Sequence, residues 1–328
     1  MKKKWILSFI SFALSAVVLA AIEKNAIAQS YPNKPIRLVV PYIAGGATDI
    51  LAREVAQKLK ESLGHPVVIE NKPGASAIIG TEIVSKAAPD GYTLVLATQA
   101  SHAANVFLFK KLPYDPVKDF APVTLLGTMA NALLVNLSIP AHSVRELIAL
   151  AKSKPGSLNF ASSGSGLAPH LAGELFKTMA GIDVVHVAYS GSIPAITAVI
   201  NGEASFMFQI LPTALPQIKA GKVRALAVSS AKRSSILPDL PTVAEEGLPG
   251  FDIVAWFGIM APAGTPKEII TRLNTETVKI LQMPDLKERL LILGIDPISS
   301  TPEHFATYVR EEIVKWGKLV KESGVQPQ

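Results

Sequence analysis

Short apolar runs alternate with longer stretches of helical periodicity from residue 36 to the end of the chain. Ile36-Arg37-Leu38-Val39-Val40 and Tyr92-Thr93-Leu94-Val95-Leu96-Ala97 follow proline or glycine and are rich in strand-forming residues, which predicts buried strands. Ile50, Leu51, Ala52, Val55 and Leu59 recur at helical spacing. Val67–Glu70 reads as a strand, and Ile78–Ala88 as a helix closed by Pro89-Asp90-Gly91. A second unit of the same kind opens near Leu133. Ser143 caps a helix through Lys152, Leu158–Ala161 is extended, and Leu167–Met179 is helical with apolar residues at 167, 171, 175, 176 and 179. Strands at Val184–Tyr189, Ala204–Phe208 and Arg224–Val228 alternate with helices at Pro194–Asn201 and Leu215–Ala220. Phe251–Met260 is extended; Thr265 is expected to cap the next helix with Pro266 at its first position. From Lys267 onward the pattern is helical, broken at Pro284, Gly294 and Thr301-Pro302.

Strand–helix alternation of this kind predicts an α/β chain with mainly parallel sheets. Two lobes are expected, one from 29–126 plus 257–328 and one from 127–256, with chain crossings near Leu125–Leu134 and Phe251–Gly258. The return of the C-terminal segment to the first lobe is an expectation that the pattern alone does not carry.

The first 28 residues carry a different pattern. Lys2, Lys3 and Lys4 precede an apolar run from Trp5 to Ala21, and Ala26-Ile27-Ala28 is a small-x-small cleavage signal. A signal peptide cleaved after Ala28 is therefore expected; the alternative, an uncleaved anchor, needs a longer apolar run than Glu23-Lys24-Asn25 allows. Removing a segment with four lysines and one glutamate lowers the formal charge from +6 to +3. A mature chain this mildly basic has no Lys/Arg cluster of the kind nucleic acid requires. There is no cysteine, so neither disulfides nor a lipidated N-terminal cysteine is possible. A periplasmic location fits an exported chain that relies on core size alone.

Two strand-to-helix corners carry the candidate chemistry. At the first, Val39-Val40-Pro41 leads into Tyr42-Ile43-Ala44-Gly45-Gly46-Ala47-Thr48-Asp49. Glycines allow a sharp turn and close backbone approach, Thr48 and Asp49 are natural cap residues, and a helix N-terminus offers unpaired N–H groups with a partial positive charge. At the second, Ser162-Ser163-Gly164-Ser165-Gly166 separates a short strand from a helix. Each corner is an anion-binding device, although glycine turns also join strands to helices without any ligand.

The candidate ligand contacts are Tyr42, Ala44, Gly46 and Thr48 at the first corner, with Asp49 ordering the loop. Ser162, Ser163, Gly164 and Ser165 serve at the second, with His170 one turn into the helix and Tyr189 at a neighbouring strand end. Ser76 lies in the Pro73-Gly74 loop, and Thr98 and Ser101 lie at the end of another parallel strand, where open α/β sheets place ligands. No catalytic residue, metal or cofactor is expected. The six histidines lack ligand spacing, and there is no Gly-x-Ser-x-Gly elbow to support the rival reading of a serine hydrolase.

The motifs as a set resemble the Bug-type extracytoplasmic solute receptors of tripartite tricarboxylate transporters. The matching stretches run the length of the mature chain. They begin at Tyr31-Pro32, Val40-Pro41 with Gly45-Gly46 and Asp49, Glu70–Ala75 and Ala88–Leu94. They continue through Asn159–Gly164 with His170-Leu171-Ala172, His186–Tyr189 with Gly191, Leu240–Glu245, Trp256 with Gly258, and Ala261-Pro262 with Gly264-Thr265-Pro266. The resemblance implies a two-lobed type II periplasmic-binding-protein clamshell, each lobe a mixed sheet flanked by helices. It implies a monomer that closes on a small carboxylate and delivers it to the membrane subunits of a secondary transporter; presentation to a sensor is the alternative. Where many relatives carry an Asp-Asn pair after a strand, this chain has Gln209-Ile210, so Gln209 is a further candidate ligand contact, and a neutral one. That departure points away from an amino-acid ligand and toward a di- or tricarboxylate or aromatic acid.

Overall fold

The computed structural model describes residues 31–164, 168–323 and 327. The expected signal segment and Ser165 lie outside these residues.

Three parallel strands form one end of the sheet: β1 (Ile36–Val40), β2 (Val67–Asn71) and β3 (Thr93–Thr98). Side chains alternate across them. Leu38, Val40, Leu94 and Leu96 pack on one face with Leu51, Val55 and Leu59 of helix α1 (Ala47–Leu63). Val39, Val95 and Ala97 face the other side with helix α2 (Ile78–Ser85). Gly64, at φ 75°, ends α1 by donating its N–H to the Lys60 carbonyl. After β3 comes a π-helical turn, Ala100–Ala104, and a short helix α3 (Asn105–Leu108).

The centre of the sheet was invisible in the sequence pattern. Strand β4 (Phe120–Val135) runs 16 residues without a break. The pattern opens a unit only near Leu133, because Pro122 and Gly127 interrupt the apolar run and register shifts fall at Pro122/Thr124 and Leu125/Gly127. Its first two-thirds pair antiparallel with β9 (Val254–Pro262), from Phe120↔Pro262 to Ala130↔Val254. Its last five residues pair antiparallel with β7 (Phe206–Ile210), and the last four with β8 (Arg224–Val228). Beyond β7 lie β5 (Asn159–Ser162) and β6 (Val185–Ala188), both parallel to it in sense. The path is β2-β1-β3-β9-β4-β7-β5-β6, with β8 and the two-residue β10 (Asp296–Pro297) attached to β4. The second half is covered by α4 (Val144–Ser153), α5 (Ala168–Ala180), α6 (Ser192–Asn201) and α7 (Leu211–Lys219). Ser143 caps α4 as expected, accepting from the Glu146 N–H.

Some expected boundaries move. Ala204 does not open a strand, because its N–H closes the end of α6 on the Ala198 carbonyl, so β7 starts at Phe206. Helix α7 begins at Leu211 rather than Leu215, with Pro212 in its first turn. The N-cap of α8 (Lys267–Leu281) is Pro266, not Thr265; the Thr265 hydroxyl donates instead to the Pro262 carbonyl. After α9 (Pro284–Ile292), the last helix α10 (Pro302–Ser323) packs on β4, on the π-turn and on α5, so it touches both halves of the sheet. Two sheet halves joined through β4 and β9, each flanked by helices, are the two lobes of a clamshell.

Candidate functional site

Strand register brings the two lobes' loops to one gap. Thr98 at the end of β3 pairs with Phe257, and Phe257 pairs with Gly127 of β4. Ile210 at the end of β7 pairs with Asn131 of β4. Strand β3 runs parallel to β4 in sense and β7 runs against it, so their C-terminal ends point at each other. Four residue steps along β4, from Gly127 to Asn131, separate them, about 13 Å at the usual rise per residue. Because β1 and β2 parallel β3, and β5 and β6 parallel β7, six C-terminal strand ends open on the same gap.

At the first corner the N-cap of α1 is Gly46, with no side-chain cap; Thr48 and Asp49 lie inside the first turn. Gly45, at φ 83°, makes the turn. The Asp49 carboxylate bends back over the loop, accepting from Gly45 N at 2.9 Å, Arg53 Nε at 2.9 Å and Asn71 Nδ2 at 2.8 Å. Burial pushes this carboxyl up, but the Arg53, Gly45 and Asn71 hydrogen bonds outweigh it and hold the pKa at about 2. Asn71 Nδ2 also reaches the Tyr42 carbonyl at 3.1 Å, so the end of β2 braces the loop after β1. Asp49 thus orders the loop while Ala44, Gly46 and Thr48 remain at the surface.

Beside this loop, Ala75, Ser76 and Ala77 all have left-handed backbone, at φ 45°, 52° and 74°. Such residues cost of order 1–3 kcal/mol each and persist only when their surroundings fix them. Here Asn105 Nδ2 donates to the Ser76 carbonyl at 2.8 Å and the Thr81 hydroxyl donates to the Ala77 carbonyl at 2.8 Å. Gly80 seats the turn: a Cβ there would come within 2.7 Å of the Lys72 carbonyl and 2.8 Å of Pro41. Turns of this kind present backbone N–H groups to anions, and Ser76 stands exposed at the tip.

Thr98 and Ser101 sit deeper than expected. The Tyr42 hydroxyl is 2.8 Å from Thr98 Oγ1, Thr98 Oγ1 is 3.2 Å from Ser101 Oγ, and Ser101 Oγ is 2.8 Å from His102 Nδ1. Ser101 is fully buried, so it supports Thr98 from behind instead of reaching the gap. His102 is also fully buried and lies 4.6 Å from the Phe120 ring. Burial lowers its pKa to about 3. Unfolded imidazoles take up a proton below about pH 6.5, whereas His102 in the fold does not until about pH 3, so stability falls as pH drops through 6.5. By pH 5 the cost is about 2 kcal/mol. His102 Nε2 has no partner among the described residues, so an apolar ring should be tolerated there. His102→Phe is therefore expected to shrink the stability lost between pH 7 and pH 5 by about 2 kcal/mol, read by denaturant unfolding at both pH values. An unchanged difference would show that His102 is not the titrating group.

At the second corner the Ser162 hydroxyl is fully buried and lies 2.7 Å from His186 Nε2. Ser163 and Gly164 are half-buried, and Gly164 turns the chain at φ 140° while donating to Ser162 Oγ at 3.3 Å. Tyr189 is half-buried at the end of β6, its N–H donating to the Ser162 carbonyl at 2.9 Å. His170 is buried and stacks on His186 with ring centroids 4.0 Å apart. Gln209 is fully buried too. Its Nε2 donates to the Ser192 carbonyl at 3.1 Å and its Oε1 accepts from Ile210 N at 3.1 Å, so its amide ties β7 to the start of α6.

Of the expected contacts, Ser101, Ser162, His170 and Gln209 therefore lie buried behind the two corners, while Tyr42, Ala44, Gly46, Thr48, Ser76, Ser163, Gly164 and Tyr189 are at least partly exposed. Sequence reasoning missed Asn71 and Asn105, whose side chains reach over 29 residues. It also missed Ile43, exposed at 70% on the loop after β1, and Ile193, exposed at 66% in the first turn of α6.

Known proteins share this architecture. A family model described as the tripartite tricarboxylate transporter family receptor matches residues 51–325. Protein BugT of Bordetella pertussis is 36% identical over 311 residues, covering 94% of this chain and 95% of BugT. Among solved structures, R. palustris Rpa4515 with adipate is 38% identical at a TM-score of 0.75, covering 91% of this chain and 100% of that one. MatC from Rhodopseudomonas palustris with bound malate is 35% identical at a TM-score of 0.68, covering 88% of this chain and 100% of that one.

Proposed function

The chain belongs to the receptor family of tripartite tricarboxylate transporters, and from that membership we propose that it is a periplasmic receptor that captures a small carboxylate and delivers it to the membrane subunits of such a transporter. The observation that carries this reading is the convergence of six C-terminal strand ends on one gap about 13 Å across. Helices α1 and α5 follow the strand ends of β1 and β5 at that gap, where Gly45 and Gly164 turn the chain. Helix N-termini and turn amides supply hydrogen bonds and partial positive charge to a carboxylate without needing a paired cation. A ligand carrying a carboxylate at each end is held by both lobes at once and favours the closed clamshell. The adipate and malate in the two similar structures are ligands of that shape. The lobe division at 29–126 plus 257–328 and 127–256 is part of this proposal, with β4 and β9 as the hinge.

Two features refine the ligand class. The Gln209 amide is committed to the chain itself, so no acidic group at that position meets a ligand ammonium. Ile43 on the loop after β1 and Ile193 in the first turn of α6 add apolar surface, which suits a ligand with a hydrocarbon body. The chain is then a binder and not an enzyme, acting as a monomer.

The test is calorimetric titration and thermal shift of the exported chain with adipate, malate, benzoate and aspartate. Dicarboxylates are expected to bind with micromolar Kd and to raise Tm by several degrees at a hundredfold excess over Kd, the effect of about 2.7 kcal/mol of linkage. Aspartate is expected at least tenfold weaker. Failure of every carboxylate to bind would sink the receptor reading; tighter aspartate binding would remove only the refinement drawn from Gln209.

A further inference from the structure

Behind the serine-rich corner, three potential metal ligands from separate parts of the chain meet. His170 and Glu174 lie one helical turn apart on α5, and His186 lies on the adjoining strand β6. One ligand atom from each, taken together, fall within 4.8 Å of one another, and no other such set occurs among the described residues. His170 Nε2 is 3.7 Å from Glu174 Oε1. We propose that His170, Glu174 and His186 form a binding site for one divalent transition-metal ion of the zinc type.

Several features fit that assignment. Two imidazoles and one carboxylate make an N2O set that suits zinc, and the chain offers no thiolate to compete for it. Three protein ligands leave a fourth coordination position open. The rings stack with centroids 4.0 Å apart and planes 27° from parallel, so one imidazole must turn out of the stack for both in-plane lone pairs to meet one ion. At metal–ligand distances of about 2.0–2.2 Å the donor atoms of a tetrahedral site lie roughly 3.3–3.6 Å apart, so the three donors must also draw in from their present spread of up to 4.8 Å. His186 is already oriented by an outer partner, its Nε2 lying 2.7 Å from the Ser162 hydroxyl. Such outer partners fix the ring of a metal-binding histidine. Phe160 closes the apolar side of the site, 4.8 Å from the His186 ring. An ion here would also fix the Ser162 hydroxyl through His186, and with it the start of the serine turn.

The test uses untagged, chelator-stripped protein without carboxylate ligand, so it stands apart from the receptor reading. Zinc is titrated against a chromophoric chelator, and cobalt(II) serves as a spectroscopic probe. One zinc per chain at micromolar or tighter affinity is expected, with cobalt giving the intense visible bands of a four- or five-coordinate site. Glu174→Gln and His186→Gln are each expected to weaken zinc at least thirtyfold and to abolish the cobalt bands. Glu174→Gln leaves the Ser162–His186 contact in place, so it keeps the test open if the histidine variant misfolds. Absence of stoichiometric zinc binding at 100 μM, or binding unchanged in Glu174→Gln, would overturn the site.

Discussion

Replacing Ser163 by aspartate is expected to lower carboxylate affinity at least a hundredfold while leaving the unliganded fold intact. Ser163 sits half-buried between the end of β5 and the start of α5, in the turn that opens on the gap between the lobes. Two like charges 4 Å apart repel by about 4 kcal/mol at the effective dielectric of a protein surface. Even with a third of that screened, the remainder matches the ~2.7 kcal/mol of a hundredfold change. Ser163→Ala removes at most one charge-assisted hydrogen bond, about 1.5–3 kcal/mol, and sets the smaller reference loss. Calorimetry with the tightest dicarboxylate reads both, and the melting curve of each unliganded variant controls for folding. Equal affinity for the parent and Ser163→Asp would place this turn outside the site, and the receptor reading would then rest on the first corner alone.

The parts of this arrangement that were legible in the sequence are the local ones. The glycine turn before α1, the Ser143 cap and, to within one residue at each end, the strand β3 are set by neighbours within a few residues, and they were readable. Family motifs then supplied the clamshell, which no single stretch encodes. What escaped depends on partners far along the chain. The left-handed run Ala75–Ala77 looks unremarkable as Ala-Ser-Ala, because Asn105 and the Gly80 contact with Pro41 impose its backbone. Ser101 looked like a ligand contact from its place beyond a strand end, and Gln209 from the position it shares with the Asp of many relatives. The fold spends both on internal bonds, since each is fully buried and a buried polar group must find a partner. His170, Glu174 and His186 have no metal spacing as a string; only the pairing of β5 with β6 sets the second histidine beside the first.

The largest stability loss is expected from Glu312→Ala, far from the gap in sequence yet attached to the strands that cross it. Glu312 is buried on α10, and its Oε2 accepts from Trp256 Nε1 at 3.1 Å and Trp316 Nε1 at 3.0 Å. Lys315 pairs with the same carboxylate and lies 3.4 Å from Asp252. Burial pushes the Glu312 carboxyl up, and Lys315 and the indole of Trp316 oppose that shift. Alanine would leave two fully buried indole N–H groups unpaired and Lys315 with Asp252 as its remaining anion. Breaking a buried pair in this way costs about 3–5 kcal/mol, roughly 10 °C in Tm for a chain of this size. Glu312→Gln retains an acceptor oxygen and is expected to lose less than half as much. Trp256 pairs with Thr128 within the stretch of β4 that spans the gap, and it meets Phe305 of α10 edge-on at 5.6 Å. The carboxylate therefore fastens the C-terminal helix to the crossing strands, and thermal and denaturant unfolding of the two variants measure that fastening. A loss below about 1 kcal/mol in Glu312→Ala would mean that water or another acceptor satisfies the indoles, and that packing of Phe305 and Trp316 alone holds the helix in place.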